Sequence, residues 1–549
     1  MHLALLETTG NQAYIFGTNK LRENGGASEL LWQMGTRWVI EAVAKLREPQ
    51  PPAQTRQTSG GRAVQTLRQR LLDPALNPPI ERDRTPVEIV VAASGKAILL
   101  VQDAKIGEEI IAQVTRAALQ HAPGLQVHGV LSGPFDFRTD HLHTILKQTY
   151  HRHSALSAQL PTPSARFQRL PVIAECRSSG LPAKRLAHPR EVPEAATDPY
   201  PASAEVLAKR AAYESWAQRA RTLQQQHHLP AHLVDSLQHL EDAYPHTDWI
   251  GVIHADGNDL GQVFLNFDKA VSPCPPDTAS RNRSYINALR RFSIALDECT
   301  EAAFCAAATT LKTSRNKLPI VPLVLGGDDL TVLCDGRQAL DFAVQYVRCF
   351  QQTAARHPDV RRVMQAVIGG DLTASVGVAI IKPHFPFHRA YDLAGELLQS
   401  AKERKPDAAI DFQVVYDASI MDLARMRASW ILNTDTRLTA RPYLIGTDHE
   451  PIEPSRRWTW LKACVDLLRQ RGDDGRRLLP RTQLHALREA LFKGRQVADA
   501  QLKLIAKRYD VLAKLFPNGS LFASFDENGS SVSYLIDAME VDELGAMQA

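Results

Sequence analysis

The sequence predicts an α+β protein: two tandem ferredoxin-like units, a linker module between them, and a helical C-terminal region. Three observations carry this expectation. A strand-helix-strand-strand-helix-strand order occurs twice, proline-rich stretches separate the copies, and apolar residues recur at spacings of three to four near the end. The 549 residues suffice for three or four domains of about 150 residues each. The expected domains are 1–155, 156–240, 241–430 and 431–549.

In the first copy, a strand over Leu3–Leu6 leads to a helical stretch over Ala27–Leu46. A strand pair follows, Val87–Ala92 and Ala97–Val101, closed by a helix over Gly107–His121 and a strand over Leu125–Leu131. In the second copy the strand is Trp249–Ala255, and the helix runs over Leu260–Asn266 and resumes over Ser284–Thr309. Strands Ile320–Leu325 and Leu330–Cys334, a helix over Arg337–Ala355 and a strand over Thr373–Ile381 complete it. Two copies of one supersecondary unit suggest duplication followed by divergence. Loops are expected at Arg47–Arg62, Leu160–Pro201, Val271–Pro276 and Thr447–Pro451, where Pro, Gly and polar residues cluster. Beyond them, Leu484, Leu487 and Leu491 share one helical face and predict helices to the end.

Charge and cysteine content narrow the function. Lys and Arg total 64 against 60 Asp and Glu, a net charge of +4; this excludes a strongly basic nucleic-acid glue and an acidic disordered tail. No apolar run approaches the roughly 18 residues of a membrane span, and the N-terminus lacks the basic start of a signal peptide. Seven cysteines without a CxxC pair point to a reducing cytoplasm. His141, His143, His151 and His153 fall on a helix over Asp140–Ala155 and predict a solvated face, because residues two apart point in different directions. His254 is expected to be a core histidine.

Candidate chemistry concentrates in the second copy. Its first strand ends in Asp256-Gly257-Asn258-Asp259, and its hairpin turns through Gly326-Gly327-Asp328-Asp329. The fold makes the first strand and the hairpin neighbours, so the carboxylates are expected to converge. Two of them about 4 Å apart repel by roughly 4 kcal/mol at an effective dielectric of 20. A divalent cation relieves this, and oxygen-only ligands favour Mg²⁺ or Mn²⁺ over zinc. Glycines at 326 and 327 permit a tight turn and a close phosphate approach. The backbone N–H groups of 257–259, which lead into a helix, are candidates to hold phosphate oxygens. Gly-Gly-Asp and Asp-Gly are also ordinary turn chemistry; their pairing in one unit is what favours a site.

These residues resemble the palm domain of nucleotidyl cyclases, and of the large polymerase/cyclase-like subunit of type III CRISPR effector complexes. The Gly326–Asp329 tetrapeptide is that family's GGDD turn. Ser375–Ile380, His388-Arg389, Leu393-Ala394, Leu397-Leu398 and Ala401-Lys402 are similar to its second palm. Gly10–Phe16, Lys20–Arg22 and Gly26–Leu31 are similar to its first. The resemblance covers roughly residues 1–430. It implies an enzyme that joins ATP by attack of a 3′-hydroxyl on the α-phosphate, making cyclic oligoadenylates for antiviral defence. Asp256, Asp328 and Asp329 are then the catalytic metal ligands for two Mg²⁺ or Mn²⁺ ions, and Asn258 stands where relatives often have a second Asp. Lys402 is the candidate triphosphate clamp; its other reading is a solvated lysine in the run Lys402–Lys405.

The resemblance also implies ATP bound between the palms, with Gly26, Ala27 and Ser28 lining a second nucleotide pocket; helix packing is the alternative. The first palm turns through Ala93-Ser94-Gly95-Lys96, and its first strand ends Glu7–Gly10, so it is expected to be catalytically dead. Members often start with an HD nuclease domain. Here the first strand begins at residue 3 and no His-Asp dipeptide occurs, so DNase activity is not expected. Cys176 stands alone where relatives cluster zinc-binding cysteines, and one cysteine builds no structural zinc site. Implied partners are other CRISPR effector subunits and guide or target RNA; for the C-terminal helices from about Pro454 the resemblance implies a dock for a small helical subunit, while their apolar spacing is equally that of a self-contained bundle. Two other functions compete: a non-catalytic scaffold of an RNA-guided complex, and a cyclase using GTP. The latter is disfavoured by the missing Glu after Asp329.

Overall fold

A computed structural model describes residues 1–47, 67–82, 85–159, 169–234, 237–245, 247–271, 275–383, 385–416, 422–433, 435–446, 454–524 and 531–545. The expected loop joint at Thr447–Pro451 lies outside these residues, as do most of the loop at 47–62 and parts of those at 160–201 and 271–276. The protein is of mixed α/β type with several sheets. It divides into two compact units. One comprises Met1–Tyr244, Asp259–Val332 and Cys349–Leu372; the other comprises Pro245–Asn258, Leu333–Arg348 and Thr373–Ala549.

The first unit begins with β1 (His2–Thr9), then α1 (Leu21–Gln33), β2 (Val87–Ala93), β3 (Lys96–Val101), α2 (Ala104–His121) and β4 (Gln126–Leu131). The four strands form one antiparallel sheet in the order β2-β3-β1-β4. Buried side chains run continuously through Leu3–Leu6 and Ala97–Val101 rather than alternating, the pattern of strands covered on both faces. Helix α2 starts where Asp103 accepts from the Lys105 amide at 3.0 Å, an N-cap that satisfies a donor the first turn leaves unpaired.

Helix α3 (Leu142–Gln159) packs on β4 and β1. This packing corrects the expectation of a solvated histidine face. His141 and His151 are exposed, but His153 is buried, 3.8 Å from Glu7. A helix laid on a sheet turns one face inward, whatever residue types occupy it.

Helix α4 (Ala204–Gln226) is capped by Ser203, which accepts from the Val206 amide at 3.2 Å. It packs along α1, and Gly26 makes that approach possible: a Cβ there would lie 1.7 Å from the Lys209 carbonyl oxygen.

In chain order follow β5 (Ile250–Gly257), α5 (Leu260–Leu265), α6 (Thr278–Ala308), β6 (Ile320–Gly326) and β7 (Asp329–Asp335). The 31-residue α6, capped by Asp277, runs against β2 and β6. A buried carboxylate fastens it. Glu88 of β2 accepts from Arg283 at 2.6 and 2.8 Å, from Arg290 at 2.5 Å and from the Ile80 amide at 2.8 Å. Burial raises the Glu88 pKa, but the two guanidiniums outweigh it and hold the carboxyl below its ordinary 4.5. A depressed native pKa contributes stability that is complete above about pH 4.5 and lost as the pH falls through the native value. Glu88→Gln is expected to cost the first unit about 3 kcal/mol at pH 7, because buried Arg290 loses its counter-charge and Arg283 keeps only the more exposed Glu81. Urea unfolding at pH 7 and pH 3 checks this: the deficit should shrink at the lower pH, and an equal deficit at both contradicts it.

The chain continues through α7 (Gly336–Arg356), α8 (Pro358–Val367), β8 (Ala374–Ile381), α9 (Phe387–Lys402), β9 (Ala409–Val414) and β10 (Tyr443–Leu444). The strand order of the six-stranded sheet is β6-β7-β5-β8-β9-β10. Within the second unit, β5 and β8 pair antiparallel with Asp256 opposite Ser375, and β8 and β9 pair parallel. Strands β9 and β10 were not expected from the sequence.

The C-terminal part is also not wholly helical. Helices α10 (Trp458–Arg469), α11 (Arg481–Leu491), α12 (Arg495–Ala506) and α13 (Leu535–Gly545) are accompanied by a small sheet of two- and three-residue strands. These are Ile431–Asn433, Thr436–Arg437, Ala523–Ser524 and Ser531–Val532. Strands this short carry no alternation for a sequence reading to detect. No disulfide joins the six described cysteines, and no helix among the described residues is long and apolar enough to cross a membrane.

Candidate functional site

The turn between β6 and β7 is the two residues Gly327 and Asp328. Gly327 has φ +62°, while Asp328 does not enter the positive region. A glycine at the first of two central positions suits a hairpin whose twist matches its strands. Helix α6 grips this turn from one side. Asp297 accepts from the Gly327 amide, and Thr300 donates to the Gly327 carbonyl at 2.6 Å. Residues three apart share a helical face, so one face of α6 reaches both polar groups of a single turn residue. Burial pushes the Asp297 carboxyl above its ordinary value, with Arg68 and the Gly327 amide opposing.

Beside the turn, within the first unit, lies a cavity of about 70 Å³ whose lining includes Ser28, Trp32, Arg68, Trp216, Asp297 and Gly326. Arg68 pairs with Glu301 at 2.9 Å, and the Arg219 guanidinium lies 4.9 Å from the Trp32 ring centre. Two indole rings and paired charges line one small space. Of the three residues implied for a second nucleotide pocket, Ser28 lines this cavity. Gly26 is spent on the contact with α4, and Ala27 is buried.

The turn of the first sheet is differently equipped. Ser94-Gly95 joins β2 to β3, with Gly95 at φ +71°, and the neighbouring pair is Lys96–Glu7 at 3.2 Å. The Lys96 ammonium offsets the Glu7 carboxylate there.

In the second unit, Asp256 sits near the end of β5 and forms an ion pair with Lys402 from the last turn of α9. Lys402 also lies 3.5 Å from the Gly257 carbonyl oxygen. Asp256 keeps about a third of its side chain exposed (31%), so an incoming ligand can reach it. Asn258 is buried and fully engaged: it donates to Thr373 Oγ1 at 2.9 Å and to the Asp407 carbonyl at 3.2 Å, and it accepts from Ser375 at 3.0 Å. The structure therefore places Asn258 as a brace between strand ends. Asp259 has φ +60° and precedes the six-residue α5. His254 is buried and stacks on Tyr391 at 5.2 Å, as a core histidine would.

Asp256 lies near the end of β5, while Asp328 stands in the turn that Asp329 closes at the start of β7. Residues 249–410 match the family model described as Cas10/Cmr2, second palm domain. A relative from Thermococcus onnurineus (strain NA1) is 28% identical over 170 residues, 31% of this chain and 19% of the relative. It is named CRISPR system single-strand-specific deoxyribonuclease Cas10/Csm1 (subtype III-A). The match thus spans about a fifth of that protein's length. Among solved structures, the Csm1-Csm4 cassette in complex with pppApA aligns at TM-score 0.51 and 14% identity over 100% of this chain and 69% of that one. The cassette in complex with cA3 gives the same values; at that identity the likeness concerns the fold. These matches support the large-subunit family of type III CRISPR effector complexes, in line with the sequence resemblance.

The sequence reading missed Asp297, Thr300, Arg68, Trp32 and Trp216. Asp297 and Thr300 sit on a long helix whose pattern looks ordinary, and only its contact with the turn singles them out.

Proposed function

We propose that the protein is a metal-dependent nucleotidyltransferase that joins ATP through 3′-hydroxyl attack on the α-phosphate, yielding a cyclic oligoadenylate for CRISPR-type antiviral defence. In this reading both sheets derive from one ferredoxin-like unit, since each contains the order second-third-first-fourth strand. One observation carries the proposal. The segment matching the second palm model places Asp256 at a strand end and Asp328 and Asp329 at a hairpin turn. The corresponding turn of the first sheet has no carboxylate.

The donor set fits Mg²⁺ or Mn²⁺. These ions take one or two carboxylates and complete their shell with substrate phosphates rather than an all-protein cage. Among the described residues no group of three acidic, His or Cys side chains forms a ready cation site, so the expected convergence of Asp256, Asp328 and Asp329 belongs to the proposal. Bound there, two cations would activate the hydroxyl and offset charge on the α-phosphate and pyrophosphate. Asp256, Asp328 and Asp329 would hold them. Lys402, within reach of the same strand end, would give its ammonium to the triphosphate. Gly257, Asp259, Gly326 and Gly327 would offer backbone to phosphate, and Ser28 a polar wall to a second nucleotide. Other effector subunits and guide or target RNA are the proposed partners.

The scaffold reading keeps one observation in its favour: Lys402 already neutralises Asp256. A Mn²⁺ titration separates the two. The enzyme reading expects Mn²⁺ to bind with α,β-methylene-ATP far more tightly than alone, and Asp328→Ala/Asp329→Ala to abolish the gain. Equal Mn²⁺ affinity with and without nucleotide favours the scaffold.

A further inference from the structure

We propose that Asp297 and Thr300 of α6 are positioning residues that fix the Gly326–Asp329 turn in the conformation that presents its carboxylates to a nucleotide-bound cation. The inference rests on the nucleotidyltransferase reading of that turn. Its basis is geometric. A two-residue turn has few internal constraints, and Gly327 at φ +62° is the residue with most backbone freedom to lose. Its amide is held by the Asp297 carboxylate and its carbonyl by the Thr300 hydroxyl at 2.6 Å. With both polar groups taken by one helix face, the peptides on either side of Gly327 can rotate only by breaking a hydrogen bond.

The helix that supplies this grip is itself fixed. Arg290 and Arg283, about two and four turns before Asp297 on the same helix, are tied to buried Glu88 of the first sheet. Asp297 also faces the cavity described above, and a Cβ at Gly326 would stand 3.8 Å from its Oδ1. Thr300 is fully buried, so its hydroxyl has no solvent alternative. The grip thus carries the rigidity of the first sheet to the turn. Positioning of this kind supports chemistry that depends on carboxylates held to within a fraction of an ångström.

The test uses the full chain. Hydrogen–deuterium exchange of peptides covering 320–335 is compared in wild type, Thr300→Val, Thr300→Ser, Asp297→Ala and Asp297→Asn. Each hydrogen bond contributes enough to slow local opening about fivefold. Thr300→Val and Asp297→Ala should therefore exchange about fivefold faster at the turn. Thr300→Ser keeps the hydroxyl and Asp297→Asn keeps an acceptor, so both should stay near wild type. Mn²⁺-dependent affinity for α,β-methylene-ATP should fall about fivefold in Thr300→Val and return in Thr300→Ser. Unchanged exchange in Thr300→Val and Asp297→Ala overturns the proposal. So does faster exchange with unchanged nucleotide binding, or binding lost equally in Thr300→Val and Thr300→Ser. A wild-type chain that binds the analogue yet forms no product from ATP contradicts the catalytic reading instead, and the exchange and binding results still decide the grip.

Discussion

Asp256→Asn is expected to lower product formation from ATP by roughly a thousandfold, the scale seen when one preorganised electrostatic group is removed from a reacting centre. It takes away the charge proposed to bind a metal while keeping the side chain's size, so the strand pairing opposite Ser375 should persist. The same change strands Lys402, whose partner in the structure is that carboxylate. Freed of it, the ammonium should tolerate nucleotide at least as well as before. The variant should therefore lose kcat with little change in KM for ATP, the signature of an interaction made in the transition state. Steady-state rates over a range of ATP and Mn²⁺ concentrations check this. A variant within tenfold of wild type removes Asp256 from the chemistry.

The largest effect on stability is expected at Arg441. Its guanidinium is fully buried in the second unit, 3.0 Å from Asp537, paired also with Glu540, and 3.9 Å from the centre of the Phe412 ring. It donates to the Phe412 carbonyl at 2.8 Å, and Tyr443 donates to Asp537 at 2.6 Å. Burial alone would push the guanidinium toward neutrality, but the two carboxylates hold it firmly charged. Arg441→Ala leaves both carboxylates buried without a counter-ion, and removing one partner of a buried pair costs about 3–5 kcal/mol. With two partners abandoned, we expect about 5 kcal/mol, measured as a fall in the urea midpoint followed by tryptophan fluorescence. Arg441→Lys should recover only part, since an ammonium cannot reproduce the fork that meets two acids and a carbonyl. A loss below about 1 kcal/mol for Arg441→Ala, the scale of an exposed pair, would contradict this view of the second unit's core.

The parts of the fold that sequence made legible are those with local signals. Strands such as 250–257 and 320–326 carry dense β-branched and apolar runs, and Gly327 marks its turn through a backbone conformation few other residues adopt. The candidate carboxylates were legible because a strand end and a hairpin turn are both local features. The rest depends on packing across long sequence separations. The contact between Asp256 and Lys402 joins residues 146 apart, and the grip of α6 on Gly327 joins residues 27 and 30 apart. Asn258 shows the same limit: beside an aspartate it looks like a diminished metal ligand, and only its four hydrogen bonds to Thr373, Ser375 and Asp407 reveal a brace. His153 is buried because of the sheet beneath its helix, which no helical periodicity of histidines foretells. The strands at 431–437 and 523–532 pair segments about ninety residues apart (Thr436 with Ser531), too short to be recognised singly.

The central claim is that Asp256, Asp328 and Asp329 make this chain a nucleotidyltransferase. It is tested most directly by incubating the purified protein with α-³²P-labelled ATP and Mg²⁺ or Mn²⁺, with and without candidate target RNA, beside Asp328→Ala/Asp329→Ala. The account predicts phosphatase-resistant labelled oligoadenylate from the wild type and none from the double variant. No product under any of these conditions, or equal product from the double variant, would contradict it.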